Sequence, residues 1–296
     1  MVIKTVGLIV NPNLWQGLKT VAEAIIQYLD KRGINVLLLE EHAGLLGRSG
    51  VNRGRMREYS DCLFSLGGDG TLLSTVPIAA PTGLPVLGIN LGRLGFLTEL
   101  GPDELFPGIK KILEGRYRIE ERLLLHGEVE RAGAVVKEVI CLNDCVIGRG
   151  ALSRPCRLEV RVNEYCAMKF NGDGIIIATP TGSTAYSFSA GGPVVEPTVE
   201  AIILTPICPH FFMVRPMAVN AQAKVQVLLE TSVAGFSLTV DGQESMPLIA
   251  GDTVRVVRYP HRYKLIRVSD RSFYCILRKK LRLDGLEEAG EAKGAT

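Results

Sequence analysis

A glycine-rich loop with a single carboxylate follows the apolar run of residues 63–66. Its sequence is Gly67-Gly68-Asp69-Gly70-Thr71, and the residues after it have the pattern of a helix. Glycine lets a bound group approach the main chain closely, and the first N–H groups of a helix favour anions. Such a loop can hold phosphate groups on its N–H groups, with Asp69 beside them. A plain turn with a capping aspartate explains the loop alone about equally well.

A longer stretch, residues 172–193, leads from a buried apolar strand into a dense series of hydroxyl groups, one aromatic ring and a double glycine. Hydroxyl and backbone N–H groups suit ribose and phosphate oxygens, and Tyr186 offers a ring face on which a base could stack. A surface loop rich in serine and threonine is the alternative. The apolar flanks argue against that alternative, because they indicate that the stretch is buried.

Two shorter stretches combine polar side chains or glycines with apolar flanks. Asn143 and Asp144 interrupt a strand-like run, which costs free energy unless both side chains are paired. A ligand explains this pair, and a β-bulge or a turn explains it about as well. The glycine-rich segment 88–97 could lie against a site, or it could be an ordinary connection between domains.

Composition and motif content exclude several classes of protein. The chain has 296 residues, 47% apolar and 22% charged, so we expect an ordered globular protein. Its net charge of +3 gives no reason to expect a nucleic-acid partner. The opening apolar run is too short to span a bilayer, and seven cysteines without a CxxC pair or a signal peptide favour a cytoplasmic protein. Neither a P-loop nor a GxGxxG motif nor a metal-binding motif is present.

The order of the predicted elements indicates the fold class. The first predicted strands lie at residues 5–10, 34–39, 63–66 and 85–90. Helical segments separate them, which predicts an α/β N-terminal domain with a Rossmann-like parallel sheet. In such sheets ligands bind beyond the carboxyl ends of the strands, where Asn11 and Asp69 fall. From Arg118 to about Ser269 short alternating strands follow one another and predict an all-β sandwich as the C-terminal domain.

The predicted domain boundaries follow from this change of pattern. Residues 1–100 form the α/β domain that carries the glycine loop, and residues 101–270 form the β-sandwich. Residues 271–296 are expected to form a C-terminal helix that packs back on the first domain, followed by a flexible tail.

Taken together, the motifs resemble those of the NAD kinase family. The segments that carry the resemblance are Gly-Gly-Asp-Gly-Thr at 67–71, Asn-Leu-Gly-Arg-Leu-Gly-Phe-Leu at 90–97, Leu-Asn-Asp at 142–144, Asp-Gly at 173–174, Thr-Pro-Thr-Gly-Ser-Thr-Ala-Tyr-Ser at 179–187, Cys-Pro-His at 208–210 and Asp-Gly-Gln at 241–243. Diacylglycerol and sphingosine kinases and phosphofructokinases share a similar glycine loop. The 179–187 segment with Asn-Asp upstream of it is specific to NAD kinases.

The resemblance implies phosphoryl transfer from ATP, or from polyphosphate in some members, to the adenosine-ribose 2′-hydroxyl of NAD, which gives NADP. Asp69 would accept the hydroxyl proton, and a divalent cation, Mg²⁺, would be carried with ATP rather than held by an assigned protein site. The implied phosphate-donor loop consists of Gly67, Gly68, Gly70 and Thr71. The implied NAD-binding residues are Asp69, Gly70, Asn143, Asp144, Arg154, Asn171, Asp173, Thr181, Thr184, Ala185, Tyr186, Ser187, Phe188, Ser189 and Gln243.

The chemistry is coherent without the resemblance. Phosphoryl transfer depends mainly on positioning and charge stabilisation, with one residue to orient or deprotonate the nucleophile. A ribose hydroxyl is a weak acid, so a carboxylate base and Mg²⁺ on the triphosphate are a sufficient set. One position departs from the family pattern: Asn171 stands where many members carry arginine, and Lys169 is a cation that could replace it.

The sequence therefore predicts a phosphotransferase with an alcohol acceptor, assembled as a homodimer or homotetramer, with no membrane partner. A lipid kinase of the diacylglycerol or sphingosine type is the alternative among kinases. It would require a large apolar cleft and no base pocket around Tyr186. A dinucleotide sensor without catalysis is the alternative from another class of protein.

Overall fold

A mostly parallel sheet forms the first part of the molecule. The computed structural model describes residues 3–11, 16–92, 95–149, 156–211, 213–230 and 235–281. The first sheet contains β1 (Thr5–Val10), β2 (Asn35–Leu38), β3 (Cys62–Leu66), β4 (Pro85–Ile89), β5 (Arg118–Arg122) and β18 (Tyr263–Arg267), in the spatial order β2-β1-β3-β4-β18-β5. Strands β2, β1, β3, β4 and β18 run parallel to their neighbours, and β5 pairs antiparallel with β18. The predicted α/β class is confirmed.

Helices cover both faces of this sheet because its strands are apolar on both sides. The helices are α1 (Gln16–Asp30), α2 (Glu40–Ala43), α3 (Arg53–Tyr59), α4 (Asp69–Leu73), α5 (Val76–Ala79) and α6 (Leu105–Leu113). The apolar sides of α1 and α6 pack on the face that presents Phe64 and Leu66. On the opposite face, α3, α4 and α5 pack against Ile9 and Leu63.

Two antiparallel sheets form the second part of the molecule. The second sheet contains β6 (Leu125–Arg131), β7 (Ala134–Cys141), β9 (Cys156–Val162), β10 (Tyr165–Gly172), β14 (Val225–Leu229) and β17 (Thr253–Arg258). The third sheet contains β8 (Asp144–Arg149), β11 (Gly174–Ala178), β12 (Ala201–Ile207), β13 (Met217–Asn220), β15 (Phe236–Val240) and β16 (Glu244–Pro247). Their inner faces share one core, in which Val160 and Val227 of the second sheet meet Ile177 and Leu238 of the third. The predicted sandwich class is confirmed.

Strand β11 is buried along its whole length because both of its faces are covered. Ile175 and Ile177 face the sandwich core, whereas Ile176 and Ala178 face a small cluster that includes Val195. The segment that follows β11 contains α7 (Tyr186–Ser189) and folds back over this outer face. Residues 179–185 between them, which we call the hydroxyl-rich turn, are thereby held at the end of the third sheet.

The predicted domain boundaries do not coincide with the division into sheets. Strands β5 and β18 come from residues 101–270, yet they complete the first sheet. The chain therefore returns to the first sheet after the sandwich. Helix α8 (Phe273–Leu281) follows, and its Phe273 ring lies 6.3 Å from the ring of Phe96, centroid to centroid. The predicted flexible tail lies outside the described residues, and no helix within them is both long enough and apolar enough to cross a membrane.

Three buried charges, Glu99, Arg122 and Arg267, and the half-buried Glu120 connect the first sheet to the loop that follows β4. Arg267 Nη1 lies 3.2 Å from Glu99 Oε2, and Arg267 Nε lies 3.3 Å from Glu120 Oε2. Arg122 Nε donates to Glu120 Oε1 at 2.8 Å. Burial would raise the pKa of Glu120, but the charges and hydrogen bonds of Arg267 and Arg122 outweigh burial and lower that pKa to about 2. We call Glu99, Glu120, Arg122 and Arg267 the charge network.

Replacing Arg267 by methionine is expected to lower the free energy of unfolding by about 3–5 kcal/mol, because the buried Glu99 carboxylate loses the cation that it pairs with. Urea denaturation of the purified protein measures this. The matched control is Arg262→Met: Arg262 pairs with the exposed Glu200 at 2.8 Å, so its loss should cost less than about 1 kcal/mol. Equal effects of the two substitutions would contradict a special role for the charge network.

Candidate functional site

The carboxylate of Asp69 is held by the loop that follows β4. Its Oδ2 accepts a hydrogen bond from Phe96 N at 2.9 Å, and its Oδ1 accepts from Leu97 N at 3.2 Å and Thr98 N at 3.3 Å. An ionised carboxylate has about four lone-pair sites, so about one acceptor site remains for a further donor. Asp69 is the first residue of α4, directly after β3 and Gly68. It therefore lies at the carboxyl edge of the first sheet.

Two glycines make room for this arrangement. A Cβ on Gly95 would lie 1.9 Å from Asp69 Oδ1, so the carboxylate occupies the space that any side chain there would need. A Cβ on Gly67 would lie 2.2 Å from Thr71 Oγ1. Both glycines are required by close contact, one for the position of the acid and the other for the tight turn into α4.

A second set of predicted residues meets at one end of the third sheet, where β8 begins and β11 and β15 end. Asp241, just after β15, accepts hydrogen bonds from Leu142 N at 2.9 Å and Asn143 N at 2.7 Å. From the other side, Thr179 N donates to Asn143 O at 2.8 Å. A Cβ on Gly182 would lie 2.1 Å from that same oxygen, so the hydroxyl-rich turn packs directly on the Asn143 backbone.

Two carboxyl groups are buried at this end of the sheet. Burial raises the pKa of Asp144 to about 7, and the charge of Asp241 adds to the effect. Burial also raises the pKa of Asp241 to about 6, against the lowering effect of the three backbone N–H groups that it accepts. Within the described residues the carboxyl group of Asp144 has no hydrogen-bond partner, so it can take up a polar group of a ligand.

The first cavity near these residues, the Tyr186 cavity, has a volume of about 490 Å³. Its lining residues are Asp144, Val146, Gly148, Arg149, Asp173, Tyr186, Ile207, Ser237, Thr239 and Gly242. Arg149 Nε donates to Asp173 Oδ1 at 2.6 Å, and Arg149 Nη2 lies 3.2 Å from Oδ2, so the pair is bidentate. The exposed Tyr186 ring, a carboxyl group and hydroxyl groups together suit a nucleoside with its sugar.

The second cavity, the glycine-loop cavity, has a similar volume of about 490 Å³. Its lining residues are Asn11, Glu41, His42, Arg53, Gly68, Gly70, Thr71, Ser74 and Gln243. Gly68 and Gly70 present main chain to it at the start of α4, where helical N–H groups have no partner within the helix. This cavity suits an anionic group such as phosphate.

The turn after β15 lies between the two cavities. Gly242 lines the Tyr186 cavity and Gln243 lines the glycine-loop cavity. The charge network makes a second connection. Arg267 Nη1 donates to Leu97 O at 3.2 Å, next to the N–H groups that hold Asp69, and Arg122 Nη1 donates to Thr181 Oγ1 at 3.2 Å. Asp69 and the hydroxyl-rich turn are thus connected to each other through the charge network.

The predicted residues divide into those that line a cavity and those that do not. Gly68, Gly70, Thr71, Asp144, Asp173, Tyr186 and Gln243 line one. Asp69, Gly67, Asn143 and Thr181 lie beside the cavities through the contacts above. Thr184, Ala185, Phe188 and Ser189 share the turn around Tyr186 without lining either cavity. Arg154 lies outside the described residues.

Three expectations meet a different arrangement in the structure. Ser187 is fully buried, and its hydroxyl shares a hydrogen bond of 2.8 Å with Thr205 Oγ1, so it is not open to a ligand. Asn171 is exposed on β10 and does not line either cavity. Lys169 does not replace an arginine there, because its ammonium group pairs with Glu159 at 3.1 Å and with Glu230.

Sequence reasoning missed several residues of the site. Arg149, Asp241 and Arg122 were not among the predicted residues, and neither were His42 and Arg53 of the glycine-loop cavity. Arg149 and Asp173 lie 24 residues apart in sequence, so their pairing gave no local signal. Asp241 belongs to the Asp-Gly-Gln segment that contains the predicted Gln243, so the segment itself was recognised.

Within the described residues, one group of three side chains has metal-ligand spacing: His126, Glu128 and Glu138 on β6 and β7. This group does not line either cavity. The polar groups around the glycine-loop cavity are main chain, hydroxyl, amide and the His42 imidazole, with Glu41 already paired to Arg53 at 3.2 Å. That set fits a cation brought in on phosphate oxygens better than one bound by the protein alone.

Comparison with known proteins gives consistent matches along the chain. Residues 6–117 match the family model for the ATP-NAD kinase N-terminal domain, and residues 142–268 match the model for its C-terminal domain. A NAD kinase from Moorella thermoacetica is 45% identical over 276 residues, covering 92% of this chain and 88% of its own length.

Two solved structures are similar over nearly the whole chain. The yeast NADH kinase complexed with NADH superposes with a TM-score of 0.88 at 23% identity, covering 96% of this chain and 88% of its own. An NAD kinase from Archaeoglobus fulgidus in complex with ATP superposes with a TM-score of 0.72 at 25% identity, covering 94% and 98%. At its level of identity the yeast structure supports the fold alone.

The Asp144→Asn variant is expected to be more stable than the wild type, by on the order of 3 kcal/mol at pH 8 and by much less at pH 5. The native pKa of Asp144 is about 7, above its unfolded value of 3.8, so this group destabilises the native state progressively as pH rises from about 4 to about 7, and by its full amount above that. Thermal denaturation at the two pH values, without ligand, measures the difference. Asn143→Ala, an uncharged change next to it, should differ from the wild type equally at both. A pH-independent effect of Asp144→Asn would contradict the raised pKa.

Proposed function

This chain belongs to the NAD kinase family and phosphorylates NAD, and we propose that Asp69 accepts the proton of the adenosine-ribose 2′-hydroxyl. The hydroxyl oxygen attacks the terminal phosphorus of ATP, the bond from that phosphorus to the bridging oxygen breaks, and ADP leaves. The hydroxyl proton passes to Asp69 and then to solvent. The products are NADP and ADP.

The observation that carries this proposal is the hydrogen bonding of Asp69. Three backbone N–H groups orient its carboxylate, and about one acceptor site stays open. A base fixed in this way loses little conformational freedom when it meets the hydroxyl, which is the main contribution of positioning to catalysis. Its neighbours in sequence, Gly68 and Gly70, line the cavity that suits the phosphate donor.

The Tyr186 cavity supports a role as part of the NAD site. Asp144 offers a buried carboxyl group to ribose hydroxyls, and Tyr186 offers its exposed ring to a base. The Arg149–Asp173 pair adds a cation near the cavity wall for the negative charge of a dinucleotide. Asn143 contributes through its backbone, which fixes the hydroxyl-rich turn.

ATP is the proposed donor, with polyphosphate as the open alternative. We infer that Mg²⁺ accompanies ATP, where it neutralises charge on the phosphates. In this proposal the main-chain N–H groups of Gly68 and Gly70 bind the phosphates of the donor. Thr71, from the same loop, and Gln243, from the turn after β15, line the same cavity and orient the donor.

We also propose that the enzyme works in the cytoplasm as a homodimer or homotetramer. All seven cysteines are free thiols, which fits a reducing compartment. The exposed apolar side chains of Phe211, Met213 and Met217 lie close together in sequence and offer a surface for another copy of the chain. A lipid kinase would instead require a large apolar cleft, whereas both cavities carry polar and charged lining residues.

The Asp69→Asn variant is expected to form NADP about 10²–10⁴-fold more slowly than the wild type, because it lacks the proton acceptor. NAD affinity, measured by titration calorimetry, should change little. Asp103→Asn, at an exposed position of the same part of the chain, is the control and should keep full turnover. A dinucleotide sensor would bind NAD with no turnover in either protein, and near-full turnover of Asp69→Asn would show that another group is the base.

Gly95→Ala tests whether the position of Asp69 matters as much as its charge. The added Cβ would lie 1.9 Å from Asp69 Oδ1, so the carboxylate must shift, and kcat is expected to fall about 10²-fold. Gly92→Ala in the same loop meets its nearest atom, Asn90 Oδ1, at 3.6 Å and should keep its activity. The rate of NADP formation at saturating NAD and ATP measures both. Equal rates for the two variants would refute this positioning.

A further inference from the structure

The carboxyl ends of three neighbouring strands bring together the acid, the loop that holds it and a cation. Strands β3, β4 and β18 lie side by side and run parallel. Asp69 follows β3, residues 95–99 follow β4, and Arg267 is the last residue of β18. Because the carboxyl ends of parallel strands meet at one edge of a sheet, these three parts are neighbours. We call residues 95–99 the acid-holding loop.

The acid-holding loop is a tight turn that is fixed at both ends. At its start, Gly95 N donates to Thr98 Oγ1 at 2.9 Å and closes the turn on itself. At its end, Glu99 N donates to Gly88 O of β4 at 2.8 Å. The three N–H groups of residues 96–98, between these two bonds, all donate to the acid. The position of the acid therefore depends on how firmly the peptide planes of this turn are held.

Two successive peptide groups of the loop carry hydrogen bonds on both of their sides. In the first group, the Leu97 N–H donates to Asp69 Oδ1 at 3.2 Å. The carbonyl oxygen of that group, Phe96 O, accepts from Arg267 Nη2 at 3.5 Å. In the second group, the Thr98 N–H donates to the same Oδ1 at 3.3 Å, and Leu97 O accepts from Arg267 Nη1 at 3.2 Å. Because a peptide group is planar, a guanidinium that fixes its C=O also fixes the direction of its N–H.

The Arg267 guanidinium has an acceptor for each of its five N–H groups. Nε and Nη2 donate to the two carboxylate oxygens of Glu120 at 3.3 Å and 3.4 Å. Nη1 donates to Glu99 Oε2 at 3.2 Å, and the two loop carbonyl oxygens take the remaining N–H groups. The side chain is only 5% exposed. A planar group bonded in this way cannot turn away from the acid-holding loop without breaking several hydrogen bonds at once.

The charge of the guanidinium also acts through these peptide groups. Hydrogen bonds in a chain polarise one another, so a cation on a carbonyl oxygen makes the N–H of the same peptide group a stronger donor. Both strengthened N–H groups meet Oδ1 of Asp69, whereas Oδ2 accepts only from Phe96 N among the described residues. Since each carboxylate oxygen has about two acceptor sites, the open site lies on Oδ2.

We propose that Arg267 is a positioning residue for the reaction: through two peptide groups it fixes Asp69 Oδ1, which leaves Oδ2 as the atom that accepts the proton. This inference rests on the proposed function, because it concerns how the base of that reaction is held. The proton passes from the 2′-hydroxyl oxygen to Oδ2 as that oxygen bonds to the terminal phosphorus and ADP leaves. Arg267 itself neither gives nor takes a proton.

Replacing Arg267 by lysine separates positioning from charge. Lysine keeps a cation beside Glu99 and Glu120, but its single nitrogen has three donors and cannot bond both loop carbonyl oxygens and both carboxylates. We expect kcat for NADP formation to fall about tenfold, because the acid loses part of its fixed position. The KM values for ATP and NAD should stay within about twofold of the wild type, since Arg267 does not line either cavity. Steady-state kinetics of the full chain with Mg²⁺ measure both quantities.

A double-mutant cycle with Asp69→Asn shows whether Arg267 acts through the acid. In the Asp69→Asn background no base remains to be positioned, so Arg267→Lys should slow the residual reaction by less than about twofold. A merely structural role of Arg267 would instead slow the reaction by the same factor in both backgrounds. Rates are divided by the concentration of NAD-binding sites from titration calorimetry, so that unfolded protein does not lower kcat.

Two further variants complete the test. Arg262→Lys is the matched control: Arg262 pairs with Glu200 at 2.8 Å, and in the described part of the chain no bond joins it to the acid-holding loop, so its kcat should match the wild type. Glu120→Gln removes the negative charge on the other side of the guanidinium at a half-buried position. It should lower kcat about threefold with unchanged KM values, because a neutral acceptor holds Arg267 less firmly.

Three outcomes would overturn the assignment of Arg267. These are a kcat of Arg267→Lys within about twofold of the wild type, a raised KM without a fall in kcat, or equal slowing in the two backgrounds. If Arg267→Lys does not fold, the same outcomes for Glu120→Gln decide the question. The proposed function fails in a different way: Asp69→Asn alone would keep near-full turnover, or the wild type would form no NADP.

Discussion

The charge network, three buried charges and the half-buried Glu120, fixes the two halves of the site relative to each other. Arg267 bonds the main-chain oxygen next to the N–H groups that hold Asp69, and Arg122 bonds Thr181 in the hydroxyl-rich turn. Both guanidinium groups share Glu120. Because a buried ion that loses its partner is strongly destabilising, neither end of the charge network can move without a cost at the other. The distance between the acid and the turn is therefore set by the fold before any ligand arrives.

At the end of the third sheet, in contrast to the charge network, one buried carboxyl group has no partner. Asp241 is satisfied by backbone N–H groups and fixes the Asn143 segment, whereas the carboxyl group of Asp144 is buried without a hydrogen-bond partner in the described part of the chain. One carboxylate thus provides structure, and the other is held in an unfavourable state that a ligand's hydroxyl groups can relieve. The raised pKa of Asp144 is the measurable sign of that unfavourable state.

Local patterns predicted the central elements well because strands β1, β3 and β4 are buried on both faces and helices α1 and α6 are apolar on one side. The sheet to which each strand belongs could not be predicted from the sequence in the same way. Strands β5 and β18 are short, and nothing within five residues tells which sheet a strand joins. Partners such as Arg267 and Glu99 lie 168 residues apart in sequence. Within α7, composition could not distinguish Ser187, which bonds inside the protein, from Tyr186, which faces a cavity.

In the proposed reaction the glycine loop keeps the Asp69 carboxylate apart from the triphosphate, because neighbouring residues of the loop face in different directions. Gly68 and Gly70 line the glycine-loop cavity, while Asp69 between them is turned to the loop after β4. A carboxylate pointing into that cavity would repel a triphosphate at close range, where two negative charges interact strongly. A carboxylate on the other side of the same loop can meet the acceptor hydroxyl and still lie within one residue of the phosphate-binding main chain. A single tight turn thus brings the proposed base close to the proposed phosphate site without placing the two in contact, which accounts for the glycines on both sides of the acid.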